Sequence, residues 1–141
     1  MPKRHDNIRR LVFGSLALLI GISTLAAARE RAPKPTPRLV ELNPTASEYM
    51  HVLNGPPETV TMRSGLVVLL PGKSVGKHST KAFEEAIIVL AGVGEIRIMG
   101  GPAFNLKPSV VAYCPPFTEH DVFNTGAEPL RYLYIVAKAK P

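Results

Sequence analysis

From Leu39 onward, the apolar residues fall in short runs that are bounded by Gly, Pro and Asn. The runs are RLVEL (38–42), EYMHVL (48–53), ETVTM (58–62), GLVVLL (65–70), EAIIVLA (85–91), GEIRIM (94–99), AFNL (103–106), SVVAYC (109–114), DVFN (121–124) and LRYLYIVA (130–137). Short aliphatic and β-branched runs between turn residues are typical of strands, and no long 3.6-residue period is present. The pattern predicts an all-β domain, with at most a turn between Pro44 and Glu48.

The polarity within the runs indicates how the strands are arranged. In the run 94–99 charged residues alternate with isoleucines, as in a strand with one solvated face. The runs 65–70 and 85–91 are apolar on both faces, which predicts that they lie centrally in a sheet. Many short antiparallel strands must protect their edges, and a closed barrel or double-sheet jelly roll does so. An immunoglobulin-like sandwich is the alternative architecture.

The first 28 residues have a different pattern. Four cations and one acid precede an uncharged apolar run of 18 residues, 11–28, which ends in three alanines. A basic start, an apolar centre and a small-residue end predict an N-terminal apolar helix that acts as a secretory signal peptide. The run also has the length of an uncleaved membrane anchor, and a buried helix is the third interpretation. The first two interpretations place the body in the periplasm or outside the cell, or tether it to the outer face of the inner membrane.

Composition divides the rest of the chain and limits its partners. Alternating prolines predict an extended linker over 29–37, so the folded domain is predicted at 38–141. The net charge of +6 is shared equally between the leader and the remainder, which has no Lys/Arg run. No nucleic-acid partner is expected, because that requires clustered cations. Membrane contact is expected only through 11–28, if this run is uncleaved.

The single cysteine, Cys114, cannot form an intrachain disulfide, and its strand-like surroundings favour burial over a reactive thiol.

Two stretches contain the polar residues that could carry chemistry. They are 71–96, with His78, Thr80, Glu84 and Glu85, and 109–126, with His120 and Asn124. Two imidazoles and a carboxylate inside an apolar barrel are costly unless they are paired or bound to a metal. This donor set suits divalent Fe, Mn, Ni or Zn and leaves positions open for water or substrate. Each histidine is alternatively a hydrogen-bonded core residue, and Glu85 a solvent-facing carboxylate.

The spacing of these residues resembles the two motifs of the cupin superfamily, in particular of small single-domain cupins with a conserved type-2 barrel. The first motif is Gly, five residues, His-x-His, three or four residues, Glu, six residues and Gly, matched by Gly72, His78, Thr80, Glu85 and Gly92. The second is Gly, five residues, Pro-x-Gly, two residues, His, three residues and Asn, matched by Ser109, Pro115, Phe117, His120 and Asn124. The resemblance covers about 60–137. It implies a double-stranded β-helix, or jelly-roll barrel, with metal ligands His78, Glu85 and His120.

Three positions depart from the family pattern. Thr80 stands at the fourth ligand position, where the family has histidine, and Ser109 and Phe117 replace glycines. A hydroxyl is a weaker ligand than imidazole, so the resemblance implies either a three-ligand site of reduced affinity or a metal-free member. The ring of Phe117 is expected near the barrel mouth, and Phe117 and Asn124 are predicted to contact a ligand. Asn124, within FNTG, is alternatively a turn residue.

Together these features predict an exported small cupin that binds a divalent metal, a small ligand or both inside its barrel. A metal-dependent dioxygenase, isomerase or lyase acting on a small oxygenated molecule is the alternative, and a metal-free binding module is the second. No catalytic residue is assigned and no organic cofactor is expected. Lysines 73, 77 and 81 either attract an anionic ligand or remain solvated, and His51 is predicted to lie at the surface. By analogy with the family, the apolar run 130–137 is predicted to serve a homodimer.

Overall fold

The computed structural model describes residues 34–139, and within them the chain is entirely strand, turn and irregular structure. The strands are β1 (Met50–Asn54), β2 (Arg63–Leu69), β3 (His78–Ser79), β4 (Phe83–Ala91), β5 (Gly94–Ile98), β6 (Ala103–Leu106), β7 (Val111–Cys114), β8 (Glu119–Phe123) and β9 (Leu130–Lys138). Among the described residues, no helix could span a membrane. The predicted leader, 1–28, and residues 29–33 of the predicted linker lie outside this range.

The strands form two antiparallel sheets. One has the order β1-β2-β9-β4-β7 and the other the order β3-β8-β5-β6. The core consists of apolar side chains from both sheets: Leu69, Ile87, Val89, Ile96, Leu106, Cys114, Val122, Leu130 and Tyr132. The predicted all-β jelly-roll barrel is therefore confirmed.

The central strands are those whose sequences are apolar on both faces. β2 and β4 flank β9, so none of the three is an edge strand, as predicted for the runs 65–70 and 85–91. β9 comes from the run 130–137, and both of its edges are paired. A homodimer through this run would therefore have to use the face of β9 rather than an edge.

Two predicted strands are wrong, and one strand was not predicted. Within the part of the chain that the structure describes, the run 38–42 pairs with no strand, and Leu39 and Val40 are exposed. In the run 58–62 the backbone N–H of Thr59 donates to the carbonyl of Gly55, and the Thr59 hydroxyl donates to the carbonyl of Met62. Local turn hydrogen bonds therefore replace the inter-strand hydrogen bonds of a sheet. β3 contains only two residues, which is too short for any periodic signal.

A buried asparagine joins the end of β2 to the turn after β8. Asn124 is fully buried, and its Nδ2 donates to the carbonyls of Leu69 (2.8 Å) and Glu128 (2.9 Å). Its Oδ1 accepts from the backbone N–H of Gly126 at 2.9 Å. The side-chain amide is thus used within the fold, as expected of the alternative interpretation of Asn124 as a turn residue.

Candidate metal centre

Three strands bring the predicted metal ligands together. His78 lies on β3 and His120 directly opposite it on β8, while Glu85 lies on β4 in the other sheet. One ligand atom of each residue lies within 4.8 Å of those of the other two. The two imidazole centroids are 4.4 Å apart. Residues that are distant in the sequence therefore form one compact group of two imidazoles and a carboxylate.

The alternation of β4 decides which of its two adjacent glutamates joins this group. Glu85 shares the buried face of the strand with Ile87 and Val89. Glu84 points to the opposite face, where it is exposed and accepts a hydrogen bond from the hydroxyl of Tyr113 at 3.2 Å. The inward residue is therefore the one that the family spacing selects.

Backbone carbonyls orient both imidazole rings. Nδ1 of His78 lies 2.9 Å from the carbonyl oxygen of Gly76, and Nδ1 of His120 lies 3.4 Å from that of Thr118. A carbonyl only accepts, so Nδ1 carries the proton in each ring and Nε2 is the atom left for another partner. Histidines that ligate metals are commonly held in this way.

Nε2 of His120 is the unpartnered polar atom of the site. His120 is 0% exposed, and among residues 34–139 its Nε2 has no hydrogen-bond partner. Glu85 Oε2 is only 3.3 Å away, but the contact lacks hydrogen-bond geometry. Because buried polar atoms are rarely left unpaired, this atom and the facing carboxylate fit a cation held between them. The residues present therefore suit a divalent metal ion.

The charge of the buried pair depends on competing effects. Burial lowers the pKa of His120, but interactions with Cys114 and with Glu85 raise it, and the net result is a pKa of about 10. At neutral pH His120 is therefore an imidazolium, whose Nε2 lies 3.3 Å from Oε2 of Glu85. A metal ion that uses His120 must displace this proton. Cys114 itself is buried, as predicted.

The group opens onto a cavity of about 700 Å³. His78 and Glu85 line this cavity, and His78 is exposed while Glu85 is only 7% exposed. The volume lies within the range of about 300–1,000 Å³ that is usual for small-molecule sites. A small molecule in the cavity would therefore meet the group from the side of His78.

The hydroxyl of Thr80, at the fourth ligand position, is hydrogen-bonded to backbone groups. Oγ1 donates to the carbonyl of Pro115 and accepts from the backbone N–H of Thr118, both at 2.9 Å. The side chain is buried and ties the end of β3 to the loop before β8. Thr80 thus helps to position His120, and its hydroxyl is not free to act as a ligand in this arrangement.

The other two predicted ligand contacts lie apart from the cavity. Phe117 is 76% exposed and is not part of the cavity wall, and neither is the buried Asn124. Both Phe117 and Ser109 have left-handed backbone conformations, with φ of 60° and 69°. The two departures from family glycines therefore keep the backbone conformation that favours glycine.

Sequence reasoning missed several residues in and beside the wall of the same cavity. Arg63 and Tyr134 line it, and so does His51, which is exposed as predicted. Tyr49 contacts both His51 and Tyr134. The available signal was the two-residue alternation that puts Tyr49 and His51 on the same face of the chain, but no family motif covers this segment.

Solved structures share this fold at low sequence identity. A cupin 2 conserved barrel domain protein from Salinispora arenicola has a TM-score of 0.60 at 20% identity, over 74% of this chain and 91% of that one. BH2720 from Bacillus halodurans has a TM-score of 0.63 at 18% identity, over 74% and 85%. The DMSP lyase DddQ from Ruegeria pomeroyi has 0.54 at 19%, over 63% of this chain and only 45% of that one.

At these identities the neighbours establish the fold and not an activity. No curated protein matches the chain in sequence. The family model described as "Cupin domain" matches residues 65–136, which is just over half of the chain and contains the whole His78, Glu85 and His120 group. The protein is therefore a member of the cupin domain family.

Proposed function

We propose that this cupin binds one divalent metal ion through His78, Glu85 and His120 and takes a small ligand in the adjoining cavity. The observation that carries the proposal is the buried Nε2 of His120, which has no hydrogen-bond partner among residues 34–139 and lies 3.3 Å from Glu85 Oε2. His78 completes the group with its Nδ1 held by a carbonyl. A cation between these atoms would pair both the nitrogen and the carboxylate.

The donor set limits the metal to a few candidates. Two imidazoles and one carboxylate suit Fe(II), Mn(II), Ni(II) or Zn(II), and they leave coordination positions for a ligand. A bound ion would supply Lewis-acid stabilisation of negative charge on a ligand oxygen. The protein supplies the rest: carbonyls that orient His78 and His120, and a buried wall around Glu85.

An enzymatic role is the second candidate. The cavity of about 700 Å³ beside the three residues would admit a small oxygenated substrate, which favours a dioxygenase, isomerase or lyase. One structural neighbour is named as a lyase. A metal-free binding module is the third candidate, and the engagement of the Thr80 hydroxyl with backbone groups favours it. We assign no catalytic residue.

Export is part of the proposal and rests on sequence alone. The basic start and the apolar run 11–28 support delivery to the periplasm or the cell exterior, by cleavage or by tethering to the outer face of the inner membrane. A metal ion would then be acquired outside the cytoplasm.

Metal analysis of the purified full chain tests the proposal. We expect close to one Mn, Fe, Ni or Zn ion per chain in the wild type, and a loss of at least about tenfold in His78→Ala, His120→Ala and Glu85→Gln, since each removes one of three ligands. Glu84→Gln is the matched control, because it makes the same change on the outer face of β4. Equally low metal in all preparations, after incubation with each metal, would contradict the proposal.

A further inference from the structure

A second polar group lies in and beside the cavity wall next to β1, β2 and β9. The hydroxyls of Tyr49 on the segment before β1 and of Tyr134 on β9 are 2.9 Å apart, and the Tyr49 hydroxyl lies 3.3 Å from Nδ1 of His51. His51 and Tyr134 both line the cavity. These three side chains form a continuous hydrogen-bonded chain, which we call the tyrosine chain.

A glycine makes room for the tyrosine chain. Gly65 on β2 pairs with His51 on one side and with Tyr134 on the other. A Cβ at this position would lie 2.5 Å from the Tyr49 hydroxyl and 2.8 Å from a ring carbon of Tyr134. Atoms cannot approach so closely, so the arrangement of the two rings requires a residue without a side chain between them.

Arg63 is a positioned cation in the same wall. Its stem lies over Gly55, where an added Cβ would come within 3.0 Å of the Arg63 Cγ, and its guanidinium lies 5.0 Å from the ring centroid of Phe83. No carboxylate within residues 34–139 forms an ion pair with it. Among residues 34–139, the charged residues of the cavity wall are Arg63, Lys81 and Glu85, so cations outnumber carboxylates there even before any metal is bound.

Strand register sets the distance from Arg63 to the metal-binding group. Arg63 pairs with Val136, and Val136 pairs with Glu85, so the three lie in one row across β2, β9 and β4. Two strand spacings separate the backbones of Arg63 and Glu85 by about 10 Å. Tyr134 is the diagonal neighbour of Glu85 on the same face, at about 7–8 Å between backbones. A small molecule in the cavity could thus contact Arg63 and the metal-binding group at once.

The tyrosine chain can direct a proton donor into the cavity. If Nδ1–H of His51 donates to Tyr49, and Tyr49 donates to Tyr134, the hydroxyl hydrogen of Tyr134 is free for a ligand. Burial and the hydrogen bond with Tyr49 raise the pKa of Tyr134 above its ordinary value, so the phenol stays protonated at neutral pH. The O–H donor of Tyr134 and the nearby guanidinium of Arg63 can both donate hydrogen bonds to a carboxylate.

We propose that Arg63 and Tyr134 bind the carboxylate of a small oxygenated acid of about three to six carbons, whose hydroxyl or oxo group faces His78, Glu85 and His120. This inference rests on the proposed function, because the metal-binding group supplies the second contact of the ligand. It adds the chemical class of that ligand. Arg63 supplies charge and paired N–H donors, and Tyr134 supplies one O–H. His51 and Tyr49 act as positioning residues that hold Tyr134 in place.

Calorimetric titration of the manganese-loaded full chain tests this inference. The probes are lactate, L-malate and 2-oxoglutarate, each compared with its uncharged amide. We expect the acids to bind and the amides to bind at least about tenfold more weakly, because a charge-assisted hydrogen bond contributes about 1.5–3 kcal/mol. Binding of none of the three acids, or equal binding of acids and amides, would overturn the proposal.

Variants identify the side chains responsible. We expect Arg63→Gln to weaken binding of the acids by about tenfold or more and Tyr134→Phe by about threefold to tenfold. Arg97→Gln is the matched control, since Arg97 also lies over a ring, that of Phe123 at 4.4 Å, but pairs with Glu95 on the outer face. Equal effects of Arg63→Gln and Arg97→Gln would refute a specific role for Arg63.

Two further readouts separate this inference from the proposed function. Metal content is measured in every variant, and we expect Arg63→Gln and Tyr134→Phe to retain wild-type metal because neither residue belongs to the metal-binding group. The titrations are repeated on metal-free protein. Arg63-dependent binding of acids by a chain that never takes up metal would support this inference and refute the metal proposal. Metal uptake without Arg63-dependent binding would do the reverse.

Discussion

His120 is the residue on which the chemistry of this barrel depends most. It is fully buried, yet its Nε2 has no hydrogen-bond partner within the described chain. Interactions with Cys114 and Glu85 outweigh the effect of burial and raise its pKa above that of a free imidazole. In the absence of an ion, His120 holds a proton at neutral pH, and its Nε2 lies 3.3 Å from Oε2 of Glu85. Metal and proton are therefore alternative occupants of the same position.

This competition predicts that metal affinity rises with pH. The pKa of His120 is about 10, so below that pH each metal ion bound must release the His120 proton. We expect the apparent association constant for manganese to increase by up to about tenfold per pH unit between pH 6 and 8. Competition titration against a chelator of known pH dependence measures this. An affinity that is constant or falls over that range would show that metal binding does not displace a proton from His120.

The sequence could identify His120 but not His51 and Arg63, which line the cavity. His78, Glu85 and His120 stand at the spacings of two family motifs, and the structure brings them within 4.8 Å. His51 and Arg63 belong to no motif, and their relation to the cavity depends on how β1 and β2 pair. Strand register is a long-range property, which a local pattern does not contain.

At the level of elements, the turns show how the fold tolerates departures from its family pattern. Ser109 precedes β7 and Phe117 lies between β7 and β8, and both have positive φ. A residue with a side chain in this conformation costs about 1–2 kcal/mol relative to glycine. The turn at Phe117 is nevertheless held by a hydrogen bond from its backbone N–H to the carbonyl of Lys81 at 2.7 Å.

We therefore expect Phe117→Gly to stabilise the protein. Removal of the left-handed strain outweighs the added freedom of the unfolded chain, and the net gain should be about 0.5–1 kcal/mol. Phe104→Gly is the matched control, because Phe104 is also exposed (53%) but lies within β6, where glycine weakens a strand. Chemical denaturation of both variants measures the difference. Destabilisation by Phe117→Gly as large as that by Phe104→Gly would contradict the account of this turn.

Strands were predictable from the sequence where an apolar run also pairs with a neighbouring strand. The runs that became β2, β4 and β9 are long and aliphatic and lie side by side. The run 38–42 has a similar composition, but it is largely exposed and pairs with no strand of the described residues. Composition therefore indicates which segments can form strands, whereas pairing decides which of them do.

At the scale of the whole domain, the metal-binding group connects the two sheets. His78 and His120 come from the four-stranded sheet and Glu85 from the five-stranded one. An ion that binds all three residues would link the sheets across the core, and it would bind only the folded chain. The fold class and family were accessible from the sequence, but the cavity and its polar wall arise only when the sheets are packed together.

The most direct test of the account is the position of a bound metal. A crystal of the manganese-loaded full chain, measured near the manganese absorption edge, locates the ion by its anomalous scattering. We predict one strong peak, within about 2.0–2.3 Å of Nε2 of His78, Nε2 of His120 and a carboxylate oxygen of Glu85. Stoichiometric manganese with its peak elsewhere, or no peak at these three side chains, would contradict the account.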